Sequence, residues 1–118
     1  MEIKQLDKLD VIFEMQRELQ VNLNQYTYGE FAQNKIDKTI LCIIDELFEF
    51  LRETKYKYWR KQKQININKL KMEYIDIFKF VLNLGLLVNI NSEELFDLFI
   101  EKTKINYERI GEENEGNI

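Results

Sequence analysis

Apolar residues recur at near-helical intervals along most of the chain. Leu6, Leu9, Phe13, Leu19 and Leu23 predict an amphipathic helix over about 5–24, with these five residues facing inward. The stretch QYTYGEF, residues 25–31, is aromatic, contains Gly29 and loses the period, so it reads as a loop. A second helix starts near Ile36. Ile40, Leu41, Ile43, Ile44, Leu47, Phe48 and Leu51 make it apolar over more than half its circumference, which implies burial on several sides. It is expected to break near Thr54, and ININ, residues 65–68, reads as a connection rather than a strand. A third helix is expected over 69–87, with Leu70, Ile75, Phe78, Val81 and Leu82 inward and Gly85 in its last turns. Ser92 is the expected N-cap of a fourth helix, followed by Glu93 and Glu94, where the helix dipole favours them. Leu95, Phe96, Leu98, Phe99 and Ile105 continue that helix, and the tail GEENEGNI reads as frayed. The sum is an all-α fold, an antiparallel helical bundle of four to five helices, in one domain over 1–118.

Composition agrees with long helices: the chain has no proline and four glycines. A formal net charge of -4 argues against a nucleic-acid-binding surface. No apolar run approaches membrane-spanning length and MEIKQLDKLD is too charged for a signal peptide, so no membrane partner and a cytoplasmic setting are expected. Cys42 stands alone in ILCII and reads as a small core residue. With no histidine, triads and metal sites built on imidazole are excluded.

Chemistry enters with the acids. In DELFEFLRE, Glu46, Glu49 and Glu53 recur at steps of three and four and so share one helical face. The third helix carries Glu73 and Asp76 in MEYIDIFKF. Two readings are open. Acid-x-x-acid is common on solvated helix faces. Two such helices packed together would instead bring four carboxylates to one point, where mutual repulsion calls for a cation. The apolar neighbours Tyr74, Ile75, Ile77 and Phe78 favour the second reading. An oxygen-only ligand set selects a hard metal, Mg²⁺ or Mn²⁺.

Basic residues give the cation something to act on. KYKYWRKQK places Lys55, Lys57, Arg60, Lys61 and Lys63 around Trp59. In EKTKINYERI, Lys102, Asn106 and Arg109 follow at steps of four and three, on one face. One at a time these are surface residues. Together with the acids they suit a polyphosphate, whose charge a metal and several cations would share.

These segments together resemble the dimeric dUTPase family of the all-α nucleoside triphosphate pyrophosphatase (MazG-like) superfamily. DELFEFLRETKYKYW is similar to its first acidic motif and lysine-tryptophan segment, and EYIDIFKFVLNLGL to its second acidic motif. KINYERI resembles its phosphate-binding segment and IFEMQREL its N-terminal helix. The resemblance implies a Mg²⁺-dependent enzyme that converts dUTP and water to dUMP and pyrophosphate. It implies Glu46, Glu49, Glu73 and Asp76 as metal ligands, with Glu49 as the base. It implies Gln16 at the base, Trp59 in the nucleoside pocket, and Lys102, Asn106 and Arg109 at phosphates. Glu53 would orient a ligand or water. Arg52 stands where relatives often have asparagine, and Lys79 where many have histidine. The alternatives are a MazG-like pyrophosphatase for another nucleotide and a non-catalytic helical interaction module. A homodimer is expected, because Ile43, Phe48, Phe50, Phe78, Phe80, Phe96 and Phe99 exceed what one small core covers.

Overall fold

The structure, a computed structural model, describes residues 7–23, 32–61 and 63–116. The expected loop at 25–31, with Gly29, lies outside the described residues, as does Leu6. Among the described residues the architecture is all-α: α1 (Lys8–Asn22), α2 (Gln33–Arg52), α3 (Ile67–Leu87) and α4 (Ser92–Gly116).

Each boundary has a local cause. Asp7 and Asp10 form a reciprocal capping box at the start of α1: the Asp10 N–H donates to Asp7 Oδ1 at 2.9 Å, and the Asp7 N–H to Asp10 Oδ2 at 3.2 Å. α2 stops at the expected place, where Glu53 is the C-cap and the Thr54 hydroxyl donates to the Leu51 carbonyl at 2.6 Å. α3 begins two residues earlier than its apolar pattern suggests. The Asn66 side chain caps it by accepting from the Lys69 N–H at 3.1 Å. α3 ends in a turn where Asn89 takes φ 62° and the Ile90 N–H donates to the Gly85 carbonyl at 2.9 Å. Asparagine tolerates that left-handed conformation better than most residues.

Two expectations about α4 need correction. Asn91, not Ser92, caps it, accepting from the Glu94 N–H at 2.8 Å. Ser92 donates instead to the Asp10 carboxylate and so ties α4 to α1. The helix also runs on through Gly111 to Gly116, into the segment whose glycines suggest an end. No proline interrupts it, and glutamate is a good helix former.

α3 is the centre of the arrangement. α2 lies along one side of it and α1 along another, while α4 packs on α1 and leaves the line of α3 at a bend of 101°. The core is a small hub of Phe13, Leu82 and Leu86, flanked by Leu9, Phe78 and Leu95. The buried stripe of α1 is Phe13, Gln16 and Gln20, continuing the half-buried Leu9. Leu19 and Leu23 are exposed, contrary to expectation, because Leu19 sits at the edge of that stripe and Leu23 is already past the helix end. On α3, Ile75 and Val81 are likewise exposed, and burial falls on Leu82, Asn83, Leu86 and Leu87.

The single chain leaves much apolar surface open. Ile40, Leu41, Ile44, Leu47, Phe48 and Leu51 of α2 are exposed, with Ile36 the buried residue of that helix. Phe96 and Phe99 of α4 are exposed as well. The radius of gyration is 18.8 Å, against about 13.5 Å for a compact domain of this length.

Candidate active site

The site starts from two helices that each present an acid pair. Glu46 and Glu49 are one turn apart on α2, and Glu73 and Asp76 are one turn apart on α3. Packing α2 along α3 brings one carboxylate oxygen each of Glu46, Glu49 and Glu73 within 4.8 Å of one another. Asp76 is exposed at the edge of this group, near enough that its charge acts on Glu46. Glu49 is the exposed member of the three and faces solvent.

Electrostatics sets this cluster apart from a solvated acidic face. Oε2 of Glu46 and Oε2 of Glu73 are both buried and have no hydrogen-bond partner. A buried acceptor without a donor is unfavourable, and a charged one more so. Burial pushes the Glu46 carboxyl above its ordinary value, and the charges of Glu49, Asp76, Glu73 and Asp45 push it the same way. A divalent cation relieves both problems at once: it supplies the missing partner and cancels the repulsion. Four carboxylates, without sulfur or imidazole, fit a hard cation.

Gln16 is placed by a different contact. Its Nε2 donates to Asn83 Oδ1 at 2.6 Å, in a bond buried between α1 and α3. Gln16 also lines a hollow of about 330 Å³ with Ile12, Met15, Tyr74, Ile75, Phe78, Lys79 and Leu82. Lys79 therefore belongs to this hollow. Asn83 follows Asp76 by seven residues on α3, which is two turns along the same face, roughly 10 Å. The hollow and the acids thus share α3 as a common wall. Nothing in the sequence pattern singles out Asn83, since its partner is 67 positions away.

The remaining expected residues are not gathered at the acids. Trp59 is 64% exposed and stands edge-to-face with Tyr58, ring centroids 5.3 Å apart. The segment around it forms a second hollow of about 320 Å³, lined by Arg52, Thr54, Lys55, Tyr56, Lys57, Arg60, Lys61 and Lys63. Sequence reasoning identified the cluster but missed Arg52 as part of it. Glu53 is paired with Lys69 at 3.1 Å, across the gap between the end of α2 and the start of α3. Lys102, Asn106 and Arg109 are exposed on α4, which packs on α1, whereas the acids lie between α2 and α3.

Comparison with known proteins places the chain in a family. The family model described as dUTPase matches residues 8–106, a span that holds both acid pairs, Gln16, Trp59, Asn83, Lys102 and Asn106. The chain is also similar to the dCTP pyrophosphatase of Enterobacteria phage T4, at 29% identity over 87% of this chain and 80% of that protein. No solved structure matches. Both similarities are to proteins that hydrolyse nucleoside triphosphates, and the match covers most of the chain: this protein belongs to the dUTPase family.

Proposed function

We propose that the chain hydrolyses a pyrimidine deoxynucleoside triphosphate, dUTP in the first place, to the monophosphate and pyrophosphate, with Mg²⁺ or Mn²⁺ held by Glu46, Glu49, Glu73 and Asp76. The observation that carries this reading is the pair of buried, unpartnered carboxylate oxygens on Glu46 and Glu73, converging with Glu49. When bound, a divalent cation lowers the pKa of water and neutralises charge on the displaced pyrophosphate. In this reading Glu49, the exposed member of the cluster, takes a proton as water adds to the α-phosphorus. The bond from that phosphorus to the bridging oxygen breaks, and pyrophosphate leaves. Gln16 reads the base in the α1–α3 hollow.

A second substrate, dCTP, is favoured by the likeness to the phage T4 enzyme. Purified protein is to be incubated with each dNTP and Mg²⁺ and assayed for pyrophosphate. Release from dUTP or dCTP is expected; no release from either overturns the reading.

The same proposal includes a two-fold homodimer. The exposed apolar faces of α2 and α4, and a radius of gyration well above that of a compact domain, are what a partner copy would correct. Lys102, Asn106 and Arg109 reach phosphates across that interface rather than within their own chain. Sedimentation equilibrium at micromolar concentration should return twice the 14.4 kDa chain mass; a monomer throughout the range refutes the dimer.

A further inference from the structure

The Gln16–Asn83 bond has a consequence for substrate choice. A carboxamide offers an oxygen that accepts and a nitrogen that donates. Gln16 gives its nitrogen to Asn83 Oδ1, which leaves Gln16 Oε1 uncommitted to that bond. Rotating Gln16 alone by a half turn would set its oxygen against Asn83 Oδ1, lone pair against lone pair. Rotating both amides together restores the bond with donor and acceptor exchanged. Both side chains are largely buried, at 3% and 8% exposure, so losing the bond between them is costly. The two amides therefore turn as one unit with two states.

We infer that Asn83 is a positioning residue that sets which atom of Gln16 faces the α1–α3 hollow, and through it the choice between a 4-amino and a 4-oxo pyrimidine. This rests on the reading of Gln16 as the base contact. In the observed state the nitrogen is drawn toward Asn83 and the oxygen is left for the base. An oxygen there accepts from the 4-amino group of cytosine and meets only lone pairs at the 4-oxo group of uracil. In the inverted state the nitrogen faces the base and donates to the 4-oxo group. Inversion replaces one amide–amide hydrogen bond with another of the same kind. A pair of this type admits both pyrimidines, whereas a fixed partner would admit one.

The test is kcat/KM for dCTP and dUTP on the full chain with Mg²⁺, for wild type and three variants. Wild type should use both nucleotides within about tenfold of each other. Asn83→Asp, assayed at pH 8, well above the carboxylate range, accepts and cannot donate. It holds Gln16 in the observed state and should move the dCTP:dUTP ratio at least about tenfold toward dCTP. Asn83→Ser keeps a group that both donates and accepts, and should stay within about threefold of the wild-type ratio. Asn83→Leu frees Gln16 without adding charge, and should raise KM for both substrates about tenfold while kcat holds. Circular dichroism reports folding. If Asn83→Asp fails to fold, the KM of Asn83→Leu decides. A ratio that stays fixed or moves toward dUTP in folded Asn83→Asp overturns the inference alone, as does an unchanged KM in Asn83→Leu. A wild-type protein inactive on both nucleotides overturns the functional reading and this inference with it.

Discussion

The two sides of α3 meet the same physical problem and answer it in opposite ways. Toward α1, the helix buries Asn83, and Gln16 of the facing helix satisfies it with a direct bond of 2.6 Å. Toward α2, it buries an oxygen of Glu73, and the facing helix supplies Glu46, another acceptor with a buried, unpartnered oxygen of its own. One contact is complete within the chain. The other is not completed among the described residues. Polar groups that pair with each other fix a structure, whereas buried groups of like charge repel and lack the donor that a buried acceptor needs.

The largest effects are expected at the acids. Glu49→Ala and Asp76→Ala should each lower kcat/KM by roughly 10³-fold, a loss of several kcal/mol of transition-state stabilisation at about 1.4 kcal/mol per decade. Their thermal midpoints without divalent cation should be no lower than that of wild type, because each change removes a repelling charge. An alanine variant with a lower thermal midpoint and unchanged metal affinity would place that acid in a structural role.

Next in size is the response to a cation. At a hundred times its Kd, a cation bound to the folded state alone stabilises it by about 2.7 kcal/mol. For a chain of this length that is a rise of roughly 10 °C in Tm. Differential scanning fluorimetry with Mg²⁺ and Mn²⁺ should show the rise in wild type and in Gln16→Leu, and lose it in Glu46→Gln. An equal rise in Glu46→Gln would mean that the cation binds elsewhere.

A smaller effect follows from the Glu46 carboxyl, which holds its proton above the ordinary value of 4.5 because of burial and the surrounding acids. The folded state then binds more protons than the unfolded state as pH rises past that value, so stability falls with rising pH. The decline runs from about pH 4.5 through the raised pKa and then levels off. Glu46→Gln removes it. Without divalent cation, the variant's Tm should exceed that of wild type by a few degrees at pH 7, and the two should converge near pH 4. A variant less stable than wild type at pH 7 would show that the charged carboxylate has a partner in the protein.

How much of this was legible beforehand differs between the two sides in the same way. The convergence of the acids is legible because both pairs sit at i, i+3 within strongly apolar helices, a spacing that needs no knowledge of the partner. Asn83 was not readable: an asparagine in FVLNLGLL looks like a tolerated polar residue until a glutamine far away in sequence is seen to meet it. Leu19 and Leu23 misled because the buried stripe of α1 carries two glutamines, so the apolar period understates the inward face. The extent of α4 to Gly116 is masked by glycines that an otherwise helix-compatible sequence tolerates. The apolar excess of α2 was visible, but within one chain it remains exposed, which only packing could reveal.

The smallest effect concerns Glu53, which the acid spacing placed on the face of Glu46 and Glu49. It accepts an ion pair from Lys69 at 3.1 Å, with the lysine side chain 56% exposed and the glutamate 20%. A pair with one partner this open to water contributes about 0–1 kcal/mol, screened further by salt. Unlike the buried oxygens of Glu46 and Glu73, Glu53 therefore has a partner within the chain. Lys69→Ala should lower Tm by less than about 4 °C at low salt, less again in 0.5 M NaCl, and leave kcat/KM within about twofold. If Lys69→Ala instead changes the Mg²⁺ affinity severalfold, Glu53 is a fifth member of the acidic group and its pairing with Lys69 tunes the site. If it changes neither quantity, the group ends at Glu46, Glu49, Glu73 and Asp76, and the ion pair only joins the end of α2 to the start of α3.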